Sequence, residues 1–307
     1  MNWLIFVIIT VFVDALRIFI DNYVSDVYFK GRGAVSQKLF YGWISIVFTL
    51  ICLTIIGWGT VIEQPLIAGV LIGAGFISGI SGIYYFKALE IDDSTNLGIF
   101  IQMAPVLYLI FGWIFLGESF SPMQLIAFAI IMAAPILIVF ATRKRSRKMR
   151  IKAVLYSFLY VLIAVISNMI FVEASNGIMN VMVSILLVLL GKGISNVVIV
   201  LARPKWRRRF RVVAKSNKGK MFRPMLANFV IGTTKEFTYR MALTLAPSMA
   251  IASAVSDTSG PIVIFFMGLV LTLIWPKFGR ESLNRKAVMV HLLATILVVV
   301  GIVILQM

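Results

Sequence analysis

The sequence predicts an all-α integral membrane protein whose ten transmembrane helices form two five-helix inverted-topology repeats. Three observations lead there. Apolar residues fill 61% of the 307 positions, and mean hydropathy is +1.00. A soluble domain, at about half apolar, cannot hide that much apolar surface, so the solvent is lipid. The apolar runs are continuous and lack the alternation of spanning strands, which makes them helices. Finally, one pattern occurs twice. Tyr85-Phe86-Lys87-Ala88-Leu89 leads into an apolar run through Pro105, then Gly117-Glu118 and a second run; Tyr239-Arg240-Met241-Ala242-Leu243 leads through Pro261 to Gly279-Arg280-Glu281 and a last run to Leu305. Repetition on this scale in an apolar chain predicts a transporter built from two halves.

In chain order, the first span covers residues 2–21. It is a span rather than a signal segment because it lacks a basic start and is interrupted by Asp14 and Arg17. The second covers 37–58, and Glu63-Gln64-Pro65 turns the chain into the third, 66–89. The third carries Gly69/Gly73 and Gly75/Gly79 at a spacing that lets helix backbones approach closely in lipid. The fourth and fifth spans cover 95–116 and 122–141. The first repeat is thus residues 1–141, a basic linker fills 142–152, and the second repeat is 153–307. Its spans end near 172, cover 178–201 and 224–245, run from Pro247 to near Pro276, and close over 287–306. The longest polar segment, 203–223, is read as a loop. An odd number of spans per repeat inverts the second repeat relative to the first and places a binding site near the membrane midplane.

The net charge of +17 raises nucleic acid as a partner. The basic residues sit between apolar runs, however, where they determine topology. Residues 203–223 interleave Trp206 and Phe210 with arginines and lysines, a composition suited to anionic lipid headgroups. Lys30, Arg32, Lys38 and the connectors 142–152, 203–223 and 277–286 all fall on one face; Glu63, Glu118 and Glu173 fall on the other. The basic face is therefore expected in the cytoplasm of a plasma (inner) membrane, with both termini outside. Cys52 is the one cysteine, which precludes an internal disulfide.

Function rests on polar groups inside spans, because a charge at a helix centre costs at least about 2.5 kcal/mol on insertion scales. Asp14, Arg17 and Asp21 share one face of the first span, either as an ion-pair ladder or as a cavity wall; Asp21, near the end, reads as interfacial. In the eighth span Glu236 and Arg240 can pair at i, i+4. That leaves Lys235 to seek Asp257 on the ninth, as a structural bridge or as one pole of a site. Pro105 and Pro261 each remove a backbone hydrogen bond, to the carbonyls of Ile101 and Asp257, beside Gln102 and beside Ser256-Asp257-Thr258. Freed carbonyls at that depth suit a wet site. The expected substrate-binding set is Asp14, Arg17, Gln102, Lys235, Glu236, Arg240 and Asp257. Basic and acidic groups at one depth fit a zwitterion such as an amino acid. Glu236, Asp257 and Asp14 are the carboxylates through which proton coupling is expected. Lys192 and Asn196 rank behind these, Tyr84, Tyr85 and Tyr239 read equally as belt anchors, and His291 reads as a packed polar residue.

The residues Ala88-Leu89, Pro105 and Gly117-Glu118 in the first half, with Ala242-Leu243, Pro261, Glu281 and Gly301 in the second, resemble the EamA-like family of the drug/metabolite transporter superfamily. The pattern departs at Trp275-Pro276-Lys277, inserted before Glu281, and in the long basic connector 203–223. The resemblance implies a ten-helix carrier of small metabolites with both termini in the cytoplasm, opposite to the orientation that the charge distribution implies. No cofactor and no nucleic acid is expected. An enzyme is not expected either, since no phosphate loop, metal-ligand cluster or nucleophile elbow occurs. The alternative is an intramembrane enzyme or flippase acting on a lipid-linked or phosphorylated substrate.

Overall fold

A computed structural model of the protein describes residues 2–29, 34–91, 103–142, 151–176, 179–217, 219–274 and 285–305. The described residues form helices and connecting turns: α1 Asn2–Val24, α2 Lys38–Ile56, a short α3 Gly59–Glu63, α4 Pro65–Ile91, α5 Ala104–Phe115, α6 Pro122–Thr142, α7 Ile151–Ser175, α8 Val181–Leu201, α9 Pro204–Ser216, α10 Phe222–Leu245, α11 Met249–Ile274 and α12 Arg285–Leu305. Among the described residues six helices are long and apolar enough to cross a membrane: α1, α2, α4, α7, α8 and α11. Apolar stretches of α5, α6 and α12 are shorter. Large apolar side chains lie open on their surfaces, among them Leu66 at 84% and Ile55 at 78% exposure, as a lipid-facing surface requires and a water-facing one does not tolerate. The protein is a multi-pass membrane protein.

The polar segment 203–223 contains a helix rather than a continuous loop. In α9, Pro204 occupies the first turn, where its missing N–H costs nothing. Buried Val213 then packs with Val24, Phe29, Met221 and Met225, and Phe210 and Ala214 lie against them. Arg209 Nη2 donates to the Phe29 carbonyl at 3.2 Å. The apolar face of an otherwise basic helix drives its formation.

The chain divides into two compact units, each drawing on both halves of the sequence. One comprises Met1–Phe19, Asp92–Val154 and Thr234–Met307; the other comprises Ile20–Ile91 and Leu155–Thr233.

In the second of these units α8 is the core. Every residue from Val183 to Leu189 is buried, as expected of a helix apolar all round. Glycines set how closely its neighbours approach. A Cβ on Gly75 would overlap the Val188 carbonyl, and one on Gly191 would overlap the Ile72 carbonyl, so α4 and α8 meet backbone to backbone. Gly42 and Gly193 do the same for α2 and α8. Gly69 and Gly73 have the same spacing as Gly75 and Gly79 but nothing near their Cα positions; only the second pair is a packing site. Serines add interhelical bonds, Ser45 Oγ to the Leu189 carbonyl at 2.9 Å and Ser167 Oγ to the Ala74 carbonyl at 2.8 Å. Asp21, expected at the interface, accepts from Asn228 Nδ2 at 2.7 Å.

In the first unit α12 packs on α6, with Ala134, Ile138, Ile262, Ala294 and Val298 as their shared core with α11. Val7 and Val11 of α1 join Ile131, Ala242, Ala254 and Val255 in a second cluster. The Gly117-Glu118 hinge has a defined geometry. Gly117 sits at φ +64°, a conformation that favours glycine, and turns the chain so that the Glu118 N–H donates to the Gly112 carbonyl at 3.0 Å. Ser121 and Gln124 then form a reciprocal capping box at the start of α6, with bonds of 2.9 and 3.2 Å.

Candidate functional site

The candidate residues that the structure describes lie on α1, α10 and α11, in the first unit. On α1, Asp14 Oδ1 accepts from Arg17 Nε at 2.8 Å, both side chains about one-third exposed. This i, i+3 pair is dictated by helical spacing. One turn earlier, Thr10 Oγ1 donates to Thr238 Oγ1 at 2.7 Å and fixes α1 against α10.

On α10, Arg240 is 1% exposed and pairs with Glu236, its Nε 3.4 Å from Oε2. Adjacent residues on a helix point about 100° apart, so Lys235 is directed elsewhere. Its Nζ lies 5.0 Å from the centroid of the Tyr239 ring, a cation–π arrangement one turn along the same helix. Among the described residues no carboxylate pairs directly with Lys235. The charges of Asp14 and Asp257 nevertheless act on it, and it on them. The helix-to-helix salt bridge between Lys235 and Asp257 is therefore not what holds α10 to α11.

Asp257 is held otherwise. Ser253, one turn earlier on α11, donates to Asp257 Oδ2 at 2.6 Å. Tyr239 stands close to Ser253, to Tyr108 of α5 and to the Asp257 carboxylate. Hydroxyls from α5, α10 and α11 thus gather around the Asp257 carboxylate. Tyr108, Ser253, Thr10 and Thr238 carry no charge and no motif. Their part in the site follows only from which helices pack together.

Pro261 stays inside α11, where it offers no N–H to the Asp257 carbonyl. Pro105 lies in the first turn of α5, a position that Pro tolerates. Gln102 and Ile101, and with them the expected break beside Gln102, lie outside the described residues, as do residues 275–281 of the second hinge. His291 stacks on Phe265 at 3.8 Å with ring planes 8° apart, a packed polar residue as its lone position predicts. Lys38, read from sequence as a connector charge, is instead the buried first residue of α2.

The Glu118 carboxylate lies beside the start of α11 and accepts from the Met249 N–H. Burial raises its pKa above the usual carboxylate range, and the Met249 bond partly offsets this. Among the described residues no group of three or more metal-ligating side chains occurs.

Comparison with known proteins agrees with the fold. One solved structure, described only as the crystal structure of a protein, superposes with a TM-score of 0.60 at 12% identity, covering 96% of this chain and 95% of that one. At that identity the likeness speaks for the fold alone. No curated relative matches the chain. The model of the EamA-like transporter family matches residues 24–140, which include Ala88-Leu89, Pro105 and Gly117-Glu118. Over that stretch, which is less than half of the chain, the protein is similar to the EamA-like transporter family of the drug/metabolite transporter superfamily, whose members are membrane transporters.

Proposed function

We propose that the protein is a secondary carrier that moves a small polar metabolite, an amino acid or similar zwitterion, across the plasma membrane by alternating access. One observation carries this reading. Lys235 rests on the face of Tyr239, has no direct carboxylate partner among the described residues, and lies within the fields of Asp14 and Asp257. A lysine so placed inside an apolar chain is costly unless it has a task. A zwitterion supplies both missing partners, its carboxylate to Lys235 and its ammonium to Asp257 or Asp14.

Arg17, Glu236 and Arg240 are already engaged within their own helices and shape the electrostatic surroundings of the site; Gln102 completes the proposed set. The carboxylates Asp14, Glu236 and Asp257 are the groups through which a proton would be coupled. The ten spans are proposed to form two inverted repeats, 1–141 and 153–307, joined by the linker 142–152. The exposed cations of α9, among them Arg207, Arg208 and Arg211, are proposed to rest on anionic headgroups at the cytoplasmic surface. The reading is tested by reconstituting the purified protein in vesicles and screening labelled metabolite mixtures for uptake and exchange. Uptake of a zwitterion, competed by other zwitterions, is expected. Saturable transport confined to apolar or cationic compounds would refute the substrate class, and absence of transport of any compound would refute the carrier.

A further inference from the structure

Lys38 is the most unusual charge in the chain. It begins α2 within a candidate span, yet its residue is only 7% exposed. Its Nζ donates to the Gly79 carbonyl of α4 and to Asn196 Oδ1 of α8, both at 3.1 Å. It also lies 5.9 Å from the centroid of the Phe86 ring. Gly82 makes room for it, since a Cβ there would overlap Nζ. All of these partners are neutral. Among the described residues no carboxylate pairs with Lys38, and the charge that bears on it is another cation, Lys192.

A buried ammonium with only neutral acceptors and a like-charged neighbour is unfavourable unless an anion joins it. Two of its three N–H donors are used. Beside it, Ser195 is fully buried, and its Oγ has no hydrogen-bond partner. That hydroxyl lies against Gly79, whose carbonyl Lys38 also contacts. Asn196 has given its oxygen to Lys38 and keeps its amide N–H groups. The cluster is therefore rich in donors and short of acceptors, the composition of an anion site, and all of its residues belong to the unit built around α8.

We propose that Lys38, Ser195 and Asn196, with the charge of Lys192, bind a small monovalent anion, chloride or a carboxylate group, between α2, α4 and α8. This site does not depend on the zwitterion reading of the Lys235 region. It is tested on the full-length protein in lipid nanodiscs by following the unfolding temperature. Ionic strength is held constant while sodium chloride, or in a second arm sodium acetate, replaces a bulky sulfonate salt. A ligand that binds only the folded state raises its stability with concentration, so the wild type should show a saturable upward shift. Response in the acetate arm alone marks a carboxylate as the occupant, and response in the chloride arm a halide.

Lys38→Met should lose the shift. Asn196→Asp places a fixed carboxylate beside Nζ; it should raise the unfolding temperature without added anion and abolish the response, which keeps the test decisive if Lys38→Met does not fold. Lys235→Met should retain the shift. No saturable shift in the wild type, persistence in Lys38→Met or Asn196→Asp, or loss in Lys235→Met would each overturn the proposal.

Discussion

Ser253 donates to the Asp257 carboxylate at 2.6 Å from one turn earlier on α11. The bond orients the one carboxylate that stands beside Pro261, close to Tyr239. Hydrogen bonds to charged groups contribute about 1.5–3 kcal/mol. Ser253→Ala should therefore weaken substrate affinity by about tenfold or more, a change of about 1.4 kcal/mol per factor of ten, and leave the protein folded. Asp257→Asn should abolish transport. Both are checked by concentration-dependent uptake in vesicles; unchanged affinity in Ser253→Ala would show that Asp257 does not meet substrate.

Lys235→Met retains a long apolar stem and removes the charge. The variant is expected to insert and purify as a folded protein but to transport nothing. Since no carboxylate pairs directly with Lys235 among the described residues, adding Asp257→Leu should not rescue activity. Recovery of folding or transport in the double variant would mean that the two residues form a structural pair.

Gly191 faces the Ile72 carbonyl with no space for a methyl group, whereas Gly73 has nothing near its Cα. Gly191→Ala must separate α4 from α8 and should cost about 3 kcal/mol, the upper end for overpacked positions. Gly73→Ala should be neutral or slightly stabilising, because alanine is the better helix former. Thermal unfolding of the two variants in detergent separates them directly, and equal melting points would contradict the backbone contact.

Burial holds the Glu118 pKa above the usual carboxylate range, so the folded protein binds this proton more tightly than the unfolded chain. Its contribution to stability is present below the ordinary carboxylate value and is lost as pH rises through the raised one. Glu118→Gln retains an acceptor for the Met249 N–H and removes the titration. Melting curves across the acidic range should show a shallower decline with rising pH in the variant than in the wild type.

The one-sided distribution of basic residues predicts that α9 faces the cytoplasm and that the turn after α5 faces outward. In a Cys52→Ser background, a cysteine at Ser216 should resist impermeant thiol reagents in intact cells, and one at Ser119 should react. The reverse pattern would give the orientation that the family resemblance implies.

Much of this protein is determined locally and so was legible in the sequence. Lipid demands about twenty apolar residues per span, and the apolar runs place α1, α2, α4, α7, α8 and α11 within a few residues. Helical periodicity alone pairs Asp14 with Arg17 and Glu236 with Arg240. The Gly117-Glu118 turn follows from a glycine next to a helix end.

What only the tertiary structure decided depends on which helix lies beside which. Gly69/Gly73 and Gly75/Gly79 read identically, and the position of α8 alone makes the second pair a contact. Lys38 reads as a connector charge until α4 and α8 bury it against Gly79 and Asn196. Tyr108 and Asp257, more than a hundred positions apart, both come to lie around Tyr239, beside uncharged hydroxyls that no pattern singles out. Sequence spacing encodes neighbours within a helix; neighbours across helices are set by the packing of whole surfaces, which no single residue announces.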